Sequence, residues 1–230
     1  MRSMYLGSEF HRYWAKCGHA SVHPDDRAYL GEDTFTFDAG ISPWPFDGAL
    51  EQAKVVFCLA NPSCGKVENK VELNEMIEKQ RSGEEALPYD FDMSFKEFYK
   101  RIVGPIDLPV GVLSKRVAVL NACPYSSPSM TAHQVRLASG LPSLWQAQKY
   151  LREELMPRAL TGNIYLIMIR RHTLWGITPP EETYGKLKVI KGRAINAVMG
   201  GELGLEIKQW LISKGYVDWE LPLNERGNPT

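Results

Sequence analysis

Cysteine is scarce in this chain. Four cysteines in 230 residues, none in a Cys-x-x-Cys pair, are too few for a disulfide scaffold and badly spaced for an iron–sulfur cluster. Cys58 and Cys123 fall in or beside apolar runs, where buried packing is the expected role, and Cys64 stands in a polar loop. Cys17, His19 and His23 form the remaining ligand-like grouping, and three ligands on one N-terminal stretch do not close a site. Long apolar runs are also missing: none approaches the roughly 20 residues that span a bilayer. The stretch Met1–Tyr13 is too polar and aromatic for the apolar part of a signal peptide. A cytoplasmic protein, away from membranes and without metal or organic cofactor, is expected. Net charge is absent as well, with Lys plus Arg and Asp plus Glu at 27 each. The chain has no G-x-x-x-x-G-K-[ST] phosphate loop, no G-x-S-x-G elbow and no G-x-G-x-x-G after a strand, which removes nucleotide-loop, serine-hydrolase and dinucleotide-binding readings. Internal repeats and low-complexity segments are missing too.

What is present suits one substantial core. Hydrophobic residues make up 44% of the chain, and residues 1–230 read as a single domain. Residues 1–50, rich in aromatics, Gly and Pro, read as an irregular covering segment that packs on it. Lys54–Ala60 (KVVFCLA), Arg116–Leu120 (RVAVL), Asn163–Ile169 (NIYLIMI) and the more polar Lys186–Lys191 (KLKVIK) read as four strands, the last at an edge. Helices are expected over Leu73–Gln80, Phe95–Ile102, Ser143–Leu155 (ended by Met156-Pro157) and Leu203–Lys214, the last followed by Gly215. Glu68–Asp92 is the most polar excursion. Strands separated by helical segments imply a largely parallel sheet. The expected fold class is therefore α/β, a three-layer α/β/α domain around a four-stranded sheet.

In an open parallel sheet, ligands bind beyond the carboxyl ends of the strands. Those exits are Asn61-Pro62-Ser63-Cys64-Gly65, Asn121-Ala122-Cys123-Pro124-Tyr125, Arg170-Arg171-His172 and Gly192-Arg193-Ala194-Ile195-Asn196, all polar and loop-like. Between Asn163 and Arg193, Arg170, Arg171, Lys186, Lys188, Lys191 and Arg193 face only Glu181 and Glu182. That local basic excess suits a polyanion and equally suits a solvated face.

Two of these exits carry a resemblance. VVFCLANPSCG, residues 55–65, resembles the first motif of the uracil-DNA glycosylase superfamily, a hydrophobic strand running into Asp-Pro or Asn-Pro and then glycine. VAVLNACPYSSPSMTAHQ, Val117–Gln134, is similar to that family's strand ending in Leu-Asn-Ala before a loop and helix. By order of elements the resemblance extends over roughly residues 40–215. The family's closing His-Pro-Ser-Pro motif has no counterpart: KVIKGRAINAVMGG, residues 188–201, holds neither the histidine nor the Ser-Pro pair, which sets the chain apart from a conventional uracil enzyme.

The resemblance implies a role for each matching residue. Asn61 would orient the attacking water; an amide is no strong base, yet a dissociative, oxocarbenium-like reaction needs only a weak nucleophile. The plain alternative is Asn-Pro as a turn initiator. Asn121 would read the edge of a flipped pyrimidine with its donor and acceptor, or else cap a strand end. Ser63 stands where uracil-specific members carry a tyrosine against carbon 5 of the base, so a smaller residue leaves room for a bulky 5-substituent; a simple turn residue is the other reading. His172 and Arg193 compete to stabilise the leaving base anion. Arg170 and Arg171 would hold phosphates or a sugar on the base. Tyr89 or Phe91 would give the base an aromatic face, with core packing as the alternative. Lys188, Lys191 and the wedge candidate Met199 would meet DNA.

The implied activity is hydrolysis of the N-glycosidic bond of a modified pyrimidine in DNA, such as glucosylated hydroxymethylcytosine, leaving abasic sites. One antiphage branch of the broader superfamily acts in this way, so defence is the implied setting. A noncatalytic module that binds modified DNA, conventional uracil excision and hydrolysis of free nucleosides or nucleotides remain open.

Overall fold

A computed structural model describes residues 8–31, 37, 38, 40–63, 69–169, 171–177, 185–190 and 200–217. Its centre is a five-stranded sheet made of β1 (Phe46–Asp47), β2 (Val55–Leu59), β3 (Val117–Asn121), β4 (Tyr165–Ile169) and β5 (Leu187–Ile190), in the order β1-β3-β2-β4-β5. The strands β3, β2, β4 and β5 run parallel, and β1 joins β3 antiparallel. The four parallel strands are those expected, within one or two residues at each end. The sheet is nevertheless five-stranded, because Phe46–Asp47 pairs with Leu120 and Val119. Two residues framed by Pro45 and Gly48 carry no periodicity from which a strand can be read.

Both faces of the sheet are covered, which explains the unbroken apolar runs of β2, β3 and β4. Val56, Cys58, Ala118, Leu120, Leu166 and Met168 share one core with residues of α1 (Glu9–Ala15), the single turn α2 (Arg27–Leu30) and later helices. Val55, Phe57, Val117, Val119, Tyr165, Ile167 and Ile169 share the other core with α3 (Lys70–Gln80), α4 (Met93–Ile102), α5 (Val110–Arg116) and the C-terminal helix. Helices α6 (Ala132–Ser139), α7 (Pro142–Tyr150) and α8 (Met156–Leu160) lie on the first face, and α9 (Gly201–Ser213) on the second. The covering segment is thus less irregular than its composition suggests: Ser8 caps α1, which buries Phe10, Tyr13 and Trp14.

Local chemistry sets several helix ends. The Asp92 carboxylate accepts from the Phe95 N–H at 2.9 Å and starts α4, an N-cap that contributes about 1 kcal/mol. Thr131 and Gln134 form a reciprocal capping box on α6. The helix that begins at Pro142 does not stop at Met156-Pro157. One π-helical turn over Leu151–Leu155 passes it into α8, and Pro157, in the first turn of that new segment, needs no N–H. Gly204 lets α9 lie directly on the Pro105 carbonyl, where any Cβ would overlap it.

Candidate active site

From β2 the chain steps to β3 on one side and then crosses to β4 on the other. That reversal makes a switch point beside β2, the position where open α/β sheets leave a crevice. The loop after β2 and the loop after β3 lie side by side there. Ala122 N–H donates to the Leu59 carbonyl at 3.0 Å, Cys123 N–H to the Ala60 carbonyl at 2.8 Å, and Ser127 N–H to the Pro62 carbonyl at 3.2 Å. The segment before β1 closes the other side: Asn121 N–H donates to the Pro45 carbonyl and Trp44 N–H to the Pro124 carbonyl, both at 2.8 Å.

This scaffold holds two asparagines at the edge. In the β2–β3 register Leu59 pairs with Asn121, so Asn61 stands two residues further along, in the loop just past the end of β2. Asn61 is half-buried, and its amide nitrogen donates to the Ser127 hydroxyl and the Pro62 carbonyl at 2.9 Å, with the Ser127 and Tyr125 carbonyls at 3.3 and 3.4 Å. Carbonyls only accept, so this environment fixes which end of the amide is nitrogen. Oδ1 is turned to the opposite side, and among the described residues nothing donates to it.

Asn121 is only 2% exposed. Its amide nitrogen donates to the Trp44 carbonyl at 3.0 Å, which again fixes the amide orientation. Its Oδ1 is buried without a hydrogen-bond partner. An unpaired buried acceptor costs roughly 1–3 kcal/mol, a cost that a donor on a bound ligand removes.

The other expected residues are distributed unevenly. Ser63, in the loop after β2, is exposed. Arg171 follows β4 in a left-handed conformation (φ 37°), with its guanidinium donating to the Met130 carbonyl at 2.7 Å, so one cation is tied to the chain leaving β3. His172 is half-buried and opens the 3-10 turn His172–Trp175. That turn is held from below, where the Gln148 amide donates to the Leu174 carbonyl at 2.7 Å and Arg152 to the Trp175 carbonyl at 3.2 Å.

The aromatic candidates separate. Tyr89 is a core residue, its ring stacked on Tyr99 with centroids 5.7 Å apart and its hydroxyl pKa raised chiefly by burial; no open face remains for a base. Phe91 is half-buried and packs edge-on against Phe95 at 5.0 Å, and Phe95 stacks on Trp44 at 5.3 Å. Through Trp44 the Phe91 cluster is continuous with Asn121. Lys188 does not stand free at the sheet edge. Its ammonium lies 3.6 Å from Glu206 on α9, and Lys186 shares the same carboxylate at 3.5 Å, so one carboxylate offsets part of the charge of this pair. Arg170, Lys191, Arg193 and Met199 lie outside the described residues.

Cys17, Cys58 and Cys123 are buried free thiols in the core. Burial pushes Cys58 well above the usual thiol range and Cys123 up to about 12, which leaves both as unreactive packing groups. Two features escaped the sequence reading. Asp26 is fully buried, accepting from the Tyr125 hydroxyl at 2.6 Å and from the Ser143 N–H at the start of α7 at 2.9 Å. Asp47 is 3% exposed, accepting from the Trp44 indole at 2.6 Å and the Tyr99 hydroxyl at 2.9 Å. The signal for Asp47 was a lone acid inside the apolar stretch Pro43-Trp44-Pro45-Phe46-Asp47.

No helix among the described residues is long and apolar enough to cross a membrane. No protein-family model, no curated protein and no solved structure matches the chain.

Proposed function

We propose that the protein is a glycosylase of the uracil-DNA glycosylase type that removes a 5-substituted pyrimidine, best a modified cytosine, from DNA. The observation that carries the reading is the pair of asparagines at the ends of adjacent parallel strands, Asn121 closing β3 and Asn61 just beyond β2: each has its nitrogen pinned by a carbonyl, Asn121 Oδ1 is buried without a partner, and among the described residues nothing donates to Asn61 Oδ1. Asn61 Oδ1 would take a hydrogen bond from water and present the water's lone pair to C1′. Asn121 Oδ1 would accept a hydrogen bond from the base, from the exocyclic amine of a cytosine or the ring N–H of a uracil. The C1′–N1 bond breaks with its electron pair going to the base. Water oxygen bonds to C1′ and its proton passes to solvent, while the departing base is protonated, giving free base and an abasic site. Positive charge near the base lowers the barrier, and His172, in the loop on the far side of β2, is the described candidate for that role. Phe91 offers the ring on which a flipped base stacks. The small side chain of Ser63 supports the preference for a 5-substituent, and attack on such DNA fits defence against phage.

The test measures abasic-site formation on matched DNAs holding uracil, cytosine, hydroxymethylcytosine or glucosylated hydroxymethylcytosine, with wild type and Asn61→Ala side by side. Abasic sites in modified DNA only, at least about 100-fold slower in the variant (about 2.7 kcal/mol in the barrier), are expected. Release of uracil alone would return the protein to conventional repair. Tight binding of modified DNA with no abasic product would make it a noncatalytic module, a reading favoured by the amide at position 61, which cannot accept a proton.

A further inference from the structure

Asp47 lies at the turn from β1 into the following loop, beside the site and away from its surface. Both its oxygens are used: one holds the Trp44 indole N–H at 2.6 Å, the other the Tyr99 hydroxyl at 2.9 Å. The residue held by the first bond is the one whose carbonyl holds the Asn121 amide at 3.0 Å. Trp44 is fixed on its remaining sides by its own N–H to the Pro124 carbonyl at 2.8 Å and by the Phe95 ring stacked at 5.3 Å. Trp44, through its carbonyl and its ring, therefore joins the amide that would read the base to the aromatic cluster ending in Phe91.

We infer that Asp47 is a positioning residue for base recognition: by anchoring the Trp44 indole it sets where the Trp44 carbonyl points, and so which way the Asn121 amide presents its unpaired oxygen. This inference rests on the functional reading above for its consequence in catalysis, but its geometry is independent of it. A carboxylate is the right group at this position because it can accept two hydrogen bonds at once from two donors on different elements. When it is protonated one oxygen becomes a donor, and the indole, which has no acceptor, can no longer be held by both charge and geometry.

Groups facing Asp47 are few. Tyr99 comes from α4, Trp44 from the preceding loop, and Val119 lies opposite in β3; from α3, Gln80 takes the neighbouring Gly48 N–H at 2.6 Å. Among the described residues no cation pairs with Asp47. Its pKa is accordingly raised to about 7, chiefly by burial, with the Trp44 and Tyr99 hydrogen bonds opposing. The folded value exceeds the unfolded one, so Asp47's contribution to stability is present in full below pH ~4, the unfolded value, and is lost as pH rises through about 7. Positioning runs the other way, because the ionised form grips the indole harder.

The experiment follows the side-chain amide resonances of Asn121 by 15N–1H correlation NMR from about pH 5 to about pH 9, assigned by their disappearance in Asn121→Asp. In wild type they are expected to move with a midpoint near neutrality; in Asp47→Asn they should be insensitive to pH. The same variant, nearly isosteric and checked for folding by thermal unfolding, should lose roughly tenfold in kcat/KM on the modified-base substrate. Tyr99→Phe, which leaves the indole bond in place, should retain the titration of Asn121. Resonances that stay fixed in wild type, or that still titrate in Asp47→Asn, would overturn the inference. The NMR result stands whether or not the protein cuts a glycosidic bond, so failure of the proposed reaction and failure of this relay are read separately.

Discussion

After β2 and β3 the chain leaves the sheet into loops that bond to each other through the main chain, at Ala122, Cys123 and Ser127, and to the segment before β1 at Trp44 and Asn121. After β4 it leaves into a turn that closes on itself through the main chain and is tied to other elements by side chains: Arg171 on the Met130 carbonyl, Gln148 on Leu174, Arg152 on Trp175. The first construction rests on main-chain bonds braced by the Tyr125 hydroxyl on the buried Asp26 carboxylate, and it carries the two asparagines. The second is tied down by particular long polar side chains, and it carries Arg171 and His172. On the proposed reading, the amides that would read hydrogen-bond direction benefit from a rigid frame, whereas a cation acting on diffuse charge would tolerate a looser one.

Three substitutions sharpen this contrast. Phe57→Ala empties the core beneath both loops, since Phe57 is fully buried in the central strand. A loss of about 3–5 kcal/mol in chemical denaturation is expected, shared by both regions; a loss confined to one would show that they do not rest on a common core. Tyr125→Phe removes a donor from the buried Asp26 carboxylate and should cost about 1.5–3 kcal/mol. Amide exchange should accelerate first around residues 122–127, and equal acceleration after β4 would dissolve the distinction. Gln148→Ala should cost about 1 kcal/mol, with faster exchange limited to residues 172–177; unchanged exchange there would mean that the turn is held by Trp175 packing rather than by the amide.

The apolar runs at residues 55–59, 117–120 and 165–169 announced strands because parallel strands covered on both faces leave nowhere for a polar residue. The exits after them were legible for the converse reason, as the first polar residues past each run. Strand β1 was not legible: two residues are too short for any period. Helix α5 and the passage through Pro157 were hidden as well, since the first lacks a strong apolar stripe and the second depends on a π-helical turn that no local residue pattern demands. Within the candidate site, Asn61, Asn121 and the residues after β4 were read from their places at strand ends, while Tyr89 went to the core and Lys188 to Glu206.

By itself, then, the sequence determined the parallel strands and the residues at their carboxyl ends, because burial on two faces writes itself into consecutive residues. Only the tertiary structure decided how those end residues are oriented. Which amide face is spent on a carbonyl, and which hydroxyl shares the acid that anchors the tryptophan beside Asn121, are settled by partners dozens of residues away in the chain, and hydrogen bonds between such partners leave no periodic trace in sequence.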